Sequence, residues 1–213
     1  MNALILRSFF VLVLVTKPFM VWADNQILIL GDSLSAAYGL KQHQGWVQLL
    51  QDTYEEQKKP IKLINASISG ETTGGALRRL DAILAEHNPT HVLIELGGND
   101  GLRGFPVTKM QENLSALITK SRAAGADVAM MKIRIPPNYG PRYTQMFEQS
   151  FEHVAQQDNA YLMEFFVEKV ATDGMLMQND NIHPNADAQP VLRDIMKEEI
   201  SNWLASGKEA SLN

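Results

Sequence analysis

Short apolar runs alternate with amphipathic stripes along almost the whole chain, and glycine or proline punctuates the changes of period. Gln26–Leu30 (QILIL) runs into Gly31. Ile61–Ala66 (IKLINA) follows Pro60, and His91–Leu96 (HVLIEL) stops at Gly97-Gly98. Asp127–Ile133 (DVAMMKI) ends before Pro136-Pro137, and Tyr161–Met163 is a weaker fifth run. Short continuous apolar runs bounded by turn residues read as strands buried on both faces. Between them, apolar residues recur at helical spacing: Trp46, Val47, Leu50 and Tyr54; Ala76, Leu80 and Leu84; Val107, Met110, Leu114 and Leu117; Phe147, Phe151 and Val154. A last stripe carries Leu192, Ile195, Met196 and Trp203. Strand and helix in strict alternation demand an α/β architecture, a five-stranded parallel sheet with helices on both faces. No internal repeat, low-complexity stretch or linker interrupts the pattern. One domain is therefore expected over 24–205, with a flexible tail at 206–213.

The first 23 residues stand apart. One basic residue, Arg7, precedes the apolar stretch Ser8–Val15, Lys17 and Pro18 interrupt it, and Val21-Trp22-Ala23 forms a small-x-small pattern. That is the layout of a secretory signal cleaved after Ala23, and the run is too short and broken to span a bilayer. Its removal takes Arg7 and Lys17 with it. The mature 190 of 213 residues then hold 17 of the 19 basic residues and all 24 acidic ones, a net charge of −7 against −5 for the whole chain. An exported protein, periplasmic or secreted, is expected.

Composition excludes several chemistries. A net acidic chain without basic runs is a poor nucleic-acid binder. The absence of cysteine removes thiol nucleophiles, disulfide scaffolds and Cys-ligated zinc.

In open parallel sheets, sites form beyond the carboxyl ends of the strands, and there the polar residues gather. Gly31-Asp32-Ser33 follows the first strand, Ser69-Gly70-Glu71 the second, and Gly97-Gly98-Asn99-Asp100 the third; Asp180-Asn181-Ile182-His183-Pro184 precedes the last helix. Each supplies a part of acyl transfer. Ser33, expected to open a helix, offers a hydroxyl nucleophile. His183, three residues after Asp180, offers a base whose Nδ1 the carboxylate can hold while Nε2 turns to Ser33. The Ser33 and Gly70 N–H groups and the Asn99 side-chain amide offer three donors for an oxyanion. Singly, each has a plainer reading: Asp32-Ser33 as a helix cap, the glycines as turns, His183 as a solvated histidine beside a capping Asp. Together they fill every role, and the order Ser…Asp…His matches one known solution of triad geometry. GDSLS is not G-x-S-x-G, which argues against a nucleophile-elbow hydrolase. His43, His87, His91 and His153 lack such company. Glu71 and Arg103 read as structural or solvated, and Asp32 and Asp100 as local hydrogen-bonding supports.

These segments resemble the blocks of the SGNH (GDSL) hydrolase family, with Ser33, Gly70, Asn99 and the Asp180/His183 pair on its functional positions. ILGDSLSAAYGL, NASISGETTGG, VLIELGGNDGLRG, IRIPPNYGPRY and DNIHPNADAQP are closest to its bacterial thioesterase I/protease I/lysophospholipase L1 (arylesterase-like) subgroup. The resemblance covers essentially the mature chain. It implies a flavodoxin-like three-layer α/β/α domain, no metal or other cofactor, a periplasmic location, and hydrolysis of acyl esters and thioesters including lysophospholipids and aryl esters. It also implies a mobile loop at Gly74-Gly75-Ala76-Leu77 over the acyl chain. Ile135, Pro136, Met175 and Met177 are expected to line an acyl groove, since methionine adapts to flexible apolar ligands. Small acyl substrates are the expected partners, with the enzyme a monomer without a stable membrane span. Three rivals stay open at this point: a carbohydrate O-acetylesterase with the same triad, a metal-assisted phosphoesterase using Asp32, Asn99, Asp180 and His183, and a binding module with a decayed site.

Overall fold

The structure, a computed structural model, describes residues 25–210. The expected signal segment 1–23 and the last three residues of the expected tail lie outside them.

Five strands form one parallel sheet: β1 (Asn25–Gly31), β2 (Ile61–Asn65), β3 (His91–Glu95), β4 (Asp127–Met131) and β5 (Tyr161–Met163), in the order β2-β1-β3-β4-β5. Ile27 to Leu30 of β1 and Val92 to Ile94 of β3 are fully buried, as residues covered on both faces must be. Right-handed crossovers dictate which face each helix takes. β1 steps to β2 in one direction through α1 (Trp46–Glu56), whereas β2 steps back past β1 to β3 through α2 (Thr73–His87), so these two helices lie on opposite faces. α4 (Val107–Ala123) and α5 (Pro141–Gln157) continue in the second direction and pack in series against α2, while α7 (Gln189–Ala210) returns to pack on α1. Trp46, Leu50, Met196 and Trp203 fill one interlayer space; Leu80, Leu114, Phe147 and Phe151 fill the other. This is the expected three-layer α/β/α domain. No helix among the described residues is long and apolar enough to cross a membrane.

Three local expectations change. Two short helices, α3 (Gly98–Leu102) and α6 (Glu168–Ala171), were hidden from periodicity because neither completes two turns. α7 continues past Ser206 to Ala210, so the first five residues of the expected tail are helical. Ser33 does not open a helix. Residues 33–39 form a turn, with Ala36 N–H bonded to Asp32 O and Tyr38 N–H to Ser33 O. Ala37 at φ +57° and Gly39 at φ +74° break the right-handed path before a helix can propagate.

Candidate active site

The strand order reverses direction on either side of β1, so the crevice between the ends of β1 and β3 is the place where a ligand meets the sheet. Ser33 leaves β1 there and Asn99 leaves β3. The other two segments come from beyond β2 and from the loop before α7.

The histidine loop is built by short-range contacts. An antiparallel bridge between Met177 and Pro184, with Gln178 N–H donating to His183 O at 2.8 Å, closes a tight hairpin. Asn181 sits at its tip at φ +56°, a conformation asparagine tolerates well. Inside it, Asp180 Oδ1 accepts the backbone N–H groups of Ile182 and His183, both at 3.0 Å. That fixes the carboxylate and leaves Oδ2 for His183 Nδ1 at 2.7 Å; Nε2 of the same ring lies 2.8 Å from Ser33 Oγ. The 150-residue separation in sequence is thus closed by one imidazole. Burial alone raises the Asp180 pKa, but the hydrogen bonds from His183 and Ile182 overcome it and bring the group down to about 2. The carboxylate therefore stays charged and able to stabilise an imidazolium across any working pH. Tyr38, which sequence reasoning missed, lays its ring against that of His183, with centroids 4.4 Å apart and planes tilted by 38°.

The donors are held as firmly. Gly70 adopts φ +78°, a conformation closed to most side chains, and Arg103 Nη2 bonds its carbonyl at 3.0 Å. Arg103, expected to be structural, thus steadies the segment that presents the Gly70 N–H. Among the described residues neither the Ser33 nor the Gly70 N–H donates to a protein acceptor. Asn99 stands in α3, and one hydrogen of its Nδ2 goes to Asp32 Oδ2 at 3.0 Å, leaving the other for a ligand. The next residue, Asp100, is buried and binds Thr73 N–H at 2.9 Å and Thr73 Oγ at 2.7 Å, tying α3 to the start of α2.

Ser33, Gly70, Asn99 and His183 all face one cavity of about 540 Å³. Its remaining wall is mainly apolar, with Leu102, Ile133, Ile135, Pro136, Phe165 and Met177 contributing, and an Arg134–Glu168 ion pair of 2.5 Å stands on it. Of the residues expected to line an acyl groove, Ile135, Pro136 and Met177 line this cavity. The others do not. Gly74 and Gly75 belong to the first turn of α2, where Thr72 Oγ1 caps Gly75 N–H at 3.2 Å, so a regular helix stands in place of the expected loop. Met175 is 81% exposed and does not line the cavity. Gly-Gly signalled a loop; the N-cap Thr72 two residues earlier was the stronger local signal.

The model of the GDSL-like lipase/acylhydrolase family matches residues 29–189, three quarters of the chain. The chain belongs to that family. Among GDSL relatives, the esterase TesA of Pseudomonas aeruginosa is 47% identical over 192 residues, covering 90% of this chain and 94% of that one. Thioesterase 1/protease 1/lysophospholipase L1 of Escherichia coli K12 is 42% identical over 189 residues, covering 89% of each. The crystal structure of the psychrotrophic esterase EstA from Pseudoalteromonas, inhibited by monoethylphosphonate, superposes with a TM-score of 0.85 at 63% identity, over 85% of this chain and all of that one. As a GDSL hydrolase of this kind, the chain is an enzyme, and its α/β fold is that of its relatives.

Proposed function

We propose that the chain is a serine hydrolase that cleaves acyl esters and thioesters through a Ser33–His183–Asp180 triad and an acyl-enzyme. The observation that carries this reading is the single imidazole joined to a carboxylate at 2.7 Å and to a hydroxyl at 2.8 Å. With both ring nitrogens engaged in this way, His183 is arranged as a base rather than as a metal ligand. His183 takes the Ser33 proton as Oγ attacks the acyl carbonyl, and Asp180 holds the imidazolium. The Ser33 N–H, Gly70 N–H and Asn99 Nδ2 receive the oxyanion. His183 then returns the proton to the departing alcohol or thiol, and water repeats the sequence on the acyl-enzyme. All these groups come from one chain, which supports a working monomer, and the signal-like pattern of residues 1–23 supports export to the periplasm.

The apolar wall favours acyl chains of some length over acetate. Each methylene buried contributes about 0.8 kcal/mol, so kcat/KM on p-nitrophenyl esters is expected to rise roughly fourfold per added methylene until the cavity is filled. Acyl-CoA and lysophospholipid substrates in the same panel rank the natural leaving group. A strict acetate preference in this panel would overturn the assignment in favour of a carbohydrate O-acetylesterase. Incubation with a p-nitrophenyl alkylphosphonate is expected to add one phosphonyl group, on Ser33 and nowhere else, by mass spectrometry.

The oxyanion role of Asn99 has its own test. Asn99→Ala is expected to lower kcat by a factor on the order of 10²–10³ and leave KM nearly unchanged, because the lost bond matures only as the carbonyl oxygen becomes charged. A rise in KM at constant kcat would make Asn99 a substrate-binding residue instead.

A further inference from the structure

Glu95 is a carboxylic acid at the end of an otherwise apolar strand, and it is completely buried. The β1–β3 register sets it opposite Gly31, the residue before Asp32. A Cβ at position 31 would lie 2.6 Å from Glu95 Oε2, so the carboxyl fills the space a side chain there would need. Oε2 accepts the Ser35 hydroxyl at 2.8 Å and the Asp32 N–H at 3.3 Å. Both flanks of Ser33 are therefore pinned to one oxygen, and Asn65 Nδ2 holds the Ser35 carbonyl from the β2 side at 2.8 Å. Oε1 has no donor to accept from among the described residues.

Asp32 is buried beside it, close enough that each carboxyl bears on the other's charge. Two neighbouring carboxyls away from water cannot both ionise; each accepts two hydrogen bonds, so the one beside His183, Asp32, carries the charge. Asp32 receives Leu34 N–H at 3.1 Å and Asn99 Nδ2 at 3.0 Å, with His183 nearby.

We propose that Glu95 is a positioning residue for ester hydrolysis, a neutral acid that pins both flanks of Ser33 and leaves the pair's one negative charge on Asp32, where it aims the Asn99 amide at the oxyanion. This role rests on the triad reading of the same site. The only titratable side chain facing Glu95 among the described residues is Asp32; Asp32 faces Glu95 and His183. Burial, then the neighbouring Asp32 charge, holds the Glu95 pKa well above the usual carboxylate value, and burial lifts Asp32 to about 6.

The sign of the pH effect follows. As pH rises above the ordinary glutamate value, the unfolded chain releases the Glu95 proton while the folded chain keeps it, so this group subtracts stability with rising pH. Glutamine supplies the same acceptor and has no proton to lose. The melting temperature of Glu95→Gln, relative to the parent, is therefore expected to climb by roughly 3 °C or more between pH 5 and pH 9. In turnover, Glu95→Leu removes both pins and is expected to lower kcat about 100-fold at unchanged KM, the loss associated with a misplacement of about 1 Å. Glutamine restores kcat to within about threefold of the parent. Phosphonylation of Ser33, followed by mass spectrometry, slows in the leucine variant in proportion to kcat. If phosphonate fails to label Ser33 in the parent, the triad reading falls. If all three proteins are labelled at one rate, or the difference in melting temperature is flat with pH, the Glu95 role falls and the triad stands. Should the leucine variant not fold, the glutamine variant decides alone: loss of kcat, or a flat pH difference, overturns the proposal.

Discussion

Ser33→Ala is expected to lower turnover of p-nitrophenyl esters by a factor on the order of 10⁶ while leaving the fold intact. The reason is local. Among the described residues the hydroxyl is the only nucleophile that His183 Nε2 touches, and its removal leaves the imidazole with no side-chain proton to take. What survives is the binding and oxyanion stabilisation supplied by the Ser33 and Gly70 N–H groups and by Asn99, which elsewhere retain a factor of 10³–10⁴ over the uncatalysed reaction. The structural cost is small, since Ser33 is only half-buried and loses one hydrogen bond, worth about 1 kcal/mol. A protein of this size then melts within a few degrees of the parent. The measurement pairs steady-state turnover with a melting curve on the same preparation. An alanine variant that melts normally and keeps more than a few per cent of the parent's turnover would show that water, not Ser33, is the attacking group.

The layers and the candidate catalytic constellation were legible because they rest on different kinds of local signal. Ile27 to Leu30 and Val92 to Ile94 are apolar on both faces, which only a covered parallel strand explains, and the strand ends followed to within two residues. Ser33, Asn99, Asp180 and His183 are polar groups placed just beyond strands or in a loop, where a parallel sheet gathers its chemistry. Less was legible where a local signal had two physical readings. Gly74-Gly75 falls where the family resemblance implies a mobile loop and where Thr72 offers a helix cap, and the cap prevailed. Met175 and Met177 are chemically alike, yet the bridge to Pro184 turns Met177 into the cavity while Met175 stays in solvent. Glu95 carried a signal that went unused: a single carboxylate in HVLIEL, a run that otherwise has no tolerance for charge. A buried acid needs a partner, and naming one required the β1–β3 register, which no property of either strand alone specifies. Tyr38 had no signal at all, because its meeting with His183 depends on the path of the turn after Ser33.

Asp180→Asn is expected to lower kcat by a factor on the order of 10⁴, with KM little altered and the fold retained. The hydrogen bonds around the carboxylate fix the outcome. Oδ1 accepts from the Ile182 and His183 backbone N–H groups. An asparagine oxygen will take that place, because the alternative sets an NH₂ group against two donors. The amide nitrogen is then left facing His183 Nδ1. A donor there requires an unprotonated Nδ1, so the proton moves to Nε2, the atom that must receive the Ser33 proton. The variant would keep every contact in place and hold its base in the wrong tautomer. Asp180→Ala removes the partner without imposing that tautomer, so its kcat is expected to stay above that of the asparagine variant. Nitrogen NMR of a sample labelled at histidine checks the cause directly, with His183 carrying its proton on Nδ1 in the parent and on Nε2 in the asparagine variant. An asparagine variant that outperforms the alanine variant, or whose His183 keeps the parent tautomer, would leave Asp180 as a brace for the loop and nothing more.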